Sequence, residues 1–217
     1  MSSALAFATA SFADRDSAPD TDPQSSFWAG ASSVIAAKSN LGNPVPGNET
    51  EILLQWTFEN LYLLFACPYQ DLNLKPAPVL TAETFELWNW DVAEVFIGAD
   101  FQNMGRYKEF EVSPQGEWVD LDIDLDSPNP QQGWAWKSGC EVAARIDAAR
   151  NLWYGFMRIP WQAIDESNAF VGKELRVNFF RCEGVGAERK LITWQPTFKP
   201  TFHAPEAFGI LELAGRK

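Results

Sequence analysis

The chain has 217 residues, of which 29 are acidic and 17 basic, leaving a formal net charge of −12. That surplus repels phosphate backbones and anionic lipid, which argues against nucleic acid and membrane surfaces as partners and leaves neutral ligands such as sugars unopposed. The length suits one domain with a substantial core, and no apolar run approaches the ~20 residues of a membrane helix.

Taken in chain order, Ala4 to Phe12 is mildly apolar but has no preceding Lys or Arg and is soon followed by Asp14 and Asp16. It makes a poor export signal. A cytoplasmic location is the default expectation, with an atypical export signal as the alternative. Residues 13–26 (ADRDSAPDTDPQSS) are polar and carry Pro and Asp throughout, so residues 1–24 are expected to form a disordered or flexible lead-in and residues 25–217 the folded domain. Residues 40–50 (NLGNPVPGNET) are punctuated by Gly, Pro and Asn and read as a loop.

Strand patterns follow. Ile52, Leu54, Trp56 and Phe58 alternate with Glu51, Gln55 and Thr57, and Glu59-Asn60 reads as a turn into the apolar run Tyr62 to Cys67. Period-two patterns recur over residues 92–97, 107–112 and 119–126. A further hairpin is expected from Val142 to Met157, turning at Asp147 to Asn151. PWQAI (160–164) fits one helical turn. LRVNFFRC (175–182) and residues 208–213 complete the set. Short strands with Gly, Pro, Asn and Asp between them, and no long amphipathic helix, predict an all-β fold. The expected form is a two-sheet antiparallel β-sandwich of jelly-roll or immunoglobulin-like plan with few short helices.

Few residues suit catalysis. There is no GxSxG elbow, P-loop or HExxH motif. The single histidine, His203, is expected to hydrogen-bond the backbone in a loop or interface. Cys67, Cys140 and Cys182 are widely spaced, form no zinc pattern and are expected to be reduced and mostly buried. Glu94, Glu109 and Glu111 fall on adjacent predicted strands, and two carboxyls ~5 to 9 Å apart could hydrolyse glycosides. A solvated sheet face or contacts to a ligand is the preferred explanation for them. The DLDIDLD run (Asp120 to Asp126) begins like a calcium loop, but Leu125 replaces the needed Gly and Gln131 the closing Glu. An edge strand guarded by charge accounts for it better. Ten tryptophans stand out. Most belong in a core, but Trp88, Trp90, Trp134, Trp136 and Trp194 fall in or beside loops, where a ring can pack on the C–H face of a pyranose.

Leu87-Trp88-Asn-Trp-Asp91-Val-Ala-Glu94-Val-Phe96-Ile97 resembles the family 9 carbohydrate-binding modules and their DOMON-like relatives. These carry a Trp followed by an Asp-x-x-Glu-hydrophobic-Phe motif. Residues 107–114, Arg176 to Arg181 with the later Trp194, and Phe208-Gly209-Ile-Leu extend the likeness over roughly residues 25 to 213. The resemblance implies non-catalytic binding of a mono- or oligosaccharide, with Trp88 and Trp194 clamping one ring and Glu94 and Arg181 meeting its hydroxyls. Asn178 is a further ligand candidate, although an unbroken strand would point it away from Arg181. Trp90 is an alternative stacking ring. No catalytic residue, no protein metal ligand and no cofactor is implied, except that some relatives carry calcium, to which Asp91 could contribute unless it anchors its loop. The competing expectations are a glycoside hydrolase using Glu94 with Glu109 or Glu111, and a DOMON-like haem domain. For the latter only Met104, Met157 and His203 are available as axial ligands beyond the initiator.

Overall fold

The computed structural model describes residues 5–130, 136–165 and 167–216. Trp134 and Gln131 therefore lie outside the described residues. Thirteen strands and one short helix are present among those described: β1 (Phe7–Phe12), β2 (Ser32–Ala36), β3 (Lys38–Ser39), β4 (Thr50–Trp56), β5 (Asn60–Pro68), β6 (Val92–Gly98), β7 (Arg106–Val112), β8 (Trp118–Asp124), β9 (Glu141–Asp147), β10 (Leu152–Pro160), α1 (Trp161–Ile164), β11 (Glu174–Glu183), β12 (Lys190–Thr193) and β13 (Gly209–Leu213).

They form two sheets. The first runs β8-β7-β6-β11-β13-β1, with β12 beside the second half of β11 and β3 beside β12. The second runs β1-β4-β5-β10-β9, with β2 also on β4. All pairings are antiparallel except those of β1. That strand lies parallel to β13 over Phe7 to Ala10, then crosses to the other sheet, where Ser11 and Phe12 lie parallel to β4. The chain is thus the expected all-β sandwich, with one parallel strand tying its sheets together.

The period-two patterns explain the layering, because alternate residues of one strand face opposite sides of its sheet. Ala93, Val95 and Ile97 of β6, Phe110 and Val112 of β7, and Leu175, Val177 and Phe179 of β11 face inward. They meet Ile52, Leu54 and Trp56 of β4, Leu61, Leu63 and Phe65 of β5, and Trp153 and Met157 of β10 in the main core. Two smaller clusters cover the outer faces. On the second sheet, Tyr62, Leu64, Tyr154 and Phe156 pack beneath Trp28. On the first sheet, Val92, Phe96, Tyr107, Val119, Leu121, Ile123, Phe180 and Cys182 pack with Leu87, Phe202 and Phe208 from the loops.

The expectation of a flexible segment over 1–24 needs correction within the described residues. Phe7–Phe12 is strand β1, because Ala8 and Ala10 are small enough to enter the main core between the sheets. The polar stretch after it is tied to the β4–β5 hairpin: the Asp16 carboxylate accepts hydrogen bonds from Thr57, Asn60 and Tyr62 at 2.6–2.9 Å. β8 is an edge strand, as the aspartate run predicted. Its aspartates do not form one solvated face, however. Asp122 and Asp124 pair with Lys108 and Arg106, while Asp120 is buried and accepts from Ser138. Asp126 lies past the strand's end.

Candidate functional site

The outer face of the first sheet carries the candidate site. Glu94 lies two residues before Phe96 on β6, and Glu109 two after Tyr107 on β7, so all four side chains share that face. In register, Glu94 lies opposite Glu111 and Phe96 opposite Glu109. Glu94, Phe96 and Glu109 floor a cavity of about 310 Å³, lined also by Trp88, Asn89, Cys182, Arg189, Leu191, Thr201, Phe202 and His203, and Glu111 lies beneath it, beside Glu94 and Glu109.

The Trp88 loop is held rigidly. Glu86 takes a left-handed backbone conformation (φ 61°), uncommon for a residue with a side chain, and so starts the 3-10 turn Leu87–Asn89 that carries Trp88 to the cavity. Arg189, which also lines the cavity, clasps the turn. Its guanidinium donates to the carbonyl oxygens of Trp88, Asn89, Trp90 and Gly184. Asp91 fixes the end of the loop by accepting N–H bonds from Gly184 (2.7 Å) and Asn73 (3.1 Å). Both its oxygens are thereby engaged with backbone donors, so Asp91 is the loop anchor and its surroundings do not fit a calcium ligand.

The cavity floor is unusual. Glu94, Glu109 and Glu111 are 2%, 2% and 1% exposed, and one carboxylate oxygen from each lies within 4.8 Å of the others. Burial first, then the neighbouring Glu109, pushes the Glu94 carboxyl up to about 8. Burial pushes Glu109 up to about 7, and burial with repulsion from Glu94 and Glu109 drives Glu111 well above the ordinary range. Cys182 Sγ donates to Glu94 at 3.3 Å. Beside this floor His203 Nδ1 shares a 2.6 Å hydrogen bond with the Tyr107 hydroxyl, and burial lowers the imidazole pKa, which favours the neutral ring. His203 therefore bonds a side chain rather than the backbone acceptor expected of it. The three carboxyls crowd one another instead of flanking a gap of about 5–9 Å in which a glycosidic bond could sit, so the arrangement does not suit glycoside hydrolysis. The haem candidates are scattered: Met157 is in the main core, Met104 is exposed, and His203 lines the cavity.

Of the residues singled out from sequence, the structure brings Trp88 and Glu94 together at the cavity and packs Trp90 on the same outer cluster. Three others are placed differently. Arg181 is fully buried and points between the sheets, where it donates to Thr50 Oγ1 and the Pro68 carbonyl and pairs with Glu183 at 3.4 Å. β11 runs unbroken from Glu174 to Glu183, so Asn178 faces the other way. There it is consumed by the Gln195 backbone, donating to its carbonyl and accepting from its N–H. Trp194 packs on the main core beside Phe179 and over Gly209, where any Cβ would meet its ring at 2.5 Å. The late Trp and the Phe-Gly ending are thus a single packing device, and the Trp88–Trp194 clamp is not formed. Asn89, Arg189, Thr201 and Phe202 were not foreseen. No local motif marks them, because long-range register and two loop paths bring them together.

The fold is a two-sheet β-sandwich whose outer face presents an aromatic-walled cavity with acids at its floor. Family comparison is specific: residues 22–216 match the carbohydrate family 9 binding domain-like model, and the chain belongs to that family. Its fold is similar to that of a Bacteroides uniformis protein assigned to carbohydrate binding (16% identity, TM-score 0.77, covering 97% of this chain and 100% of that one). It is also similar to a family 9 module from Caldicellulosiruptor kristjanssonii solved with cellotriose (14% identity, TM-score 0.67, 98% and 95% covered) and with glucose (14%, 0.67, 97% and 97%). Comparison with curated protein sequences gives no match.

Proposed function

We propose that this domain binds a mono- or oligosaccharide in the cavity beside Trp88. The observation that carries the reading is the pairing of one half-exposed aromatic ring with buried acceptors, Glu94 and Glu109, in a single recess of about 310 Å³. Trp88 offers a flat apolar face for a pyranose, and the carboxyls, with the Asn89 amide, meet hydroxyls in a partly dry setting where each bond counts for more than in water. Family membership supports the reading, as do the sugars bound by the Caldicellulosiruptor module. Arg189 is a positioning residue, since its donors are spent on the carbonyls of the Trp88 loop.

Calorimetry against a panel of neutral mono- and oligosaccharides tests this. Wild type should bind at least one sugar. Trp88→Ala should weaken that sugar by about 5- to 150-fold, in line with about 1–3 kcal/mol for a stacking contact on an aromatic side chain. Trp194→Ala should lower stability and leave affinity within about threefold. Absence of binding to every sugar, or turnover of a glycoside by Glu94 chemistry, would overturn the reading.

A further inference from the structure

The three glutamates under the cavity are more than acceptors for hydroxyls. Carboxylates buried this deeply are ordinarily paired with a cation or supplied with donors. Among the described residues no Lys or Arg forms an ion pair with any of the three. No donor from outside the cluster reaches Glu109 Oε2 or either oxygen of Glu111, and the Glu109 and Glu111 carboxyls hydrogen-bond only each other. Arg189, the nearby cation, is committed to four backbone carbonyls, three in the Trp88 loop and that of Gly184. The orphaned oxygens are an observation separate from the clustering itself. Acids brought together only by sheet register would turn toward outside donors, yet Glu111 finds none and Glu94 only the weakly donating Cys182 thiol.

Their spacing has the dimensions of a coordination shell. An oxygen-preferring divalent cation such as calcium sits about 2.3–2.6 Å from each ligand, so ligands around one ion lie no more than about 5 Å apart. The three carboxylates meet that limit, with one oxygen of each inside 4.8 Å of the others. They come from two adjacent, fully paired strands, so the backbone fixes their spacing before any ion arrives. We propose that Glu94, Glu109 and Glu111 hold a divalent cation of the calcium type just beneath the cavity floor that Glu94 and Glu109 form. The donor set is all hard oxygen, which favours calcium, magnesium or manganese over zinc or copper, and the neighbouring Cys182 thiol is held by its bond to Glu94. Three protein oxygens leave coordination positions open toward the recess beside Trp88, for water or for a ligand's hydroxyls.

This site goes beyond sugar binding and is tested without any sugar. Chelator-treated full-length protein is titrated with calcium, magnesium and manganese by calorimetry, and melting is followed in parallel. One cation should bind with a stoichiometry near one and raise the melting temperature. The Glu109→Gln/Glu111→Gln variant should lose at least tenfold in affinity and lose the thermal shift, while remaining folded by circular dichroism. Asp126→Asn, at an exposed acid outside the cluster, is the control and should bind as wild type does. Folded wild type with neither heat nor thermal shift for all three cations would overturn the proposal, as would unchanged binding in the double variant. Sugar binding without cation binding would leave the carbohydrate reading standing and remove this one.

Discussion

The two outer faces of the sandwich begin alike and end differently. Each carries an aromatic-rich apolar cluster roofed by a segment outside its sheet. On the second sheet the roof is the stretch after β1, closed by Trp28, whose indole N–H donates to the Asp20 carbonyl at 3.1 Å. Its one central acid, Asp16, has three side-chain donors. Burial is the largest single influence and raises its pKa, but hydrogen bonds from Thr57, Asn60 and Tyr62, with the Arg158 charge, together outweigh it and hold it below the ordinary carboxylate value. On the first sheet, three acids are buried under loops 84–91 and 195–208 with several oxygens unmet, and all three carboxyls are pushed upward. One face resolves its polar groups locally and serves stability. The other leaves them unresolved around a recess, as expected of a surface completed by a ligand.

The largest effect should come from breaking the closed face. Trp28→Ala removes the ring that seals it and should cost roughly 3–5 kcal/mol in denaturant unfolding. A loss under about 1 kcal/mol would mean the roof is not integral to the fold.

The next contrast is in pH. For the raised acids of the first sheet, the folded-state pKa exceeds the unfolded value, so their stabilising contribution is full below about pH 4.5 and is lost as pH rises through about 7 and 8. Glu83 and Asp120, raised mainly by burial to about 7 and about 6, act in the same direction. His203 opposes them, since its lowered pKa forfeits stability as pH falls below about 6.5. In chelator, the domain should therefore melt several degrees higher at pH 5 than at pH 8. Glu111→Gln should stabilise at pH 8 by about 1–3 kcal/mol and much less at pH 5. A flat profile for wild type would remove the claimed strain.

Asp16 should behave in the opposite sense. Asp16→Ala strands three donors and should cost about 1 kcal/mol at pH 7, its exposure limiting the loss. The smallest change in stability should come from Trp88→Ala, within about 0.5 kcal/mol, because the ring borders the recess rather than sealing it.

Much of this architecture was legible in the sequence. β4, β6, β7 and β8 announce themselves by alternation, β5 by a continuous apolar run, and β9 to β11 by apolar stretches set between turn residues. β1, β2, β3 and β12 do not. FATASF is small and weakly patterned, and SSVIA exposes Ser33 and Ile35 at an edge, so long-range pairing rather than local pattern defines them. At the site, the Trp-to-Glu spacing carried the family resemblance, and Trp88 and Glu94 line one cavity. The resemblance misjudged Arg181 and Trp194, because a single sequence does not show which sheet face a late residue occupies. The relation of Glu109 and Glu111 to Glu94 was visible as adjacency of strands, while their isolation from donors depends on where every neighbouring loop runs.

The crossing of β1 has a consequence for how the polypeptide matures. Phe7 finds its partner only in Ile210, and Ala10 only in Leu213, so the strand that links the two sheets waits for the last strand to leave the ribosome. Until then β11 lacks its β13 neighbour along Glu174 to Val177, and the first sheet is open at its middle. Assembly of this domain therefore needs its first and its thirteenth strand together, and until both are made the nascent sandwich presents an unpaired edge that a chaperone or a neighbouring copy could occupy.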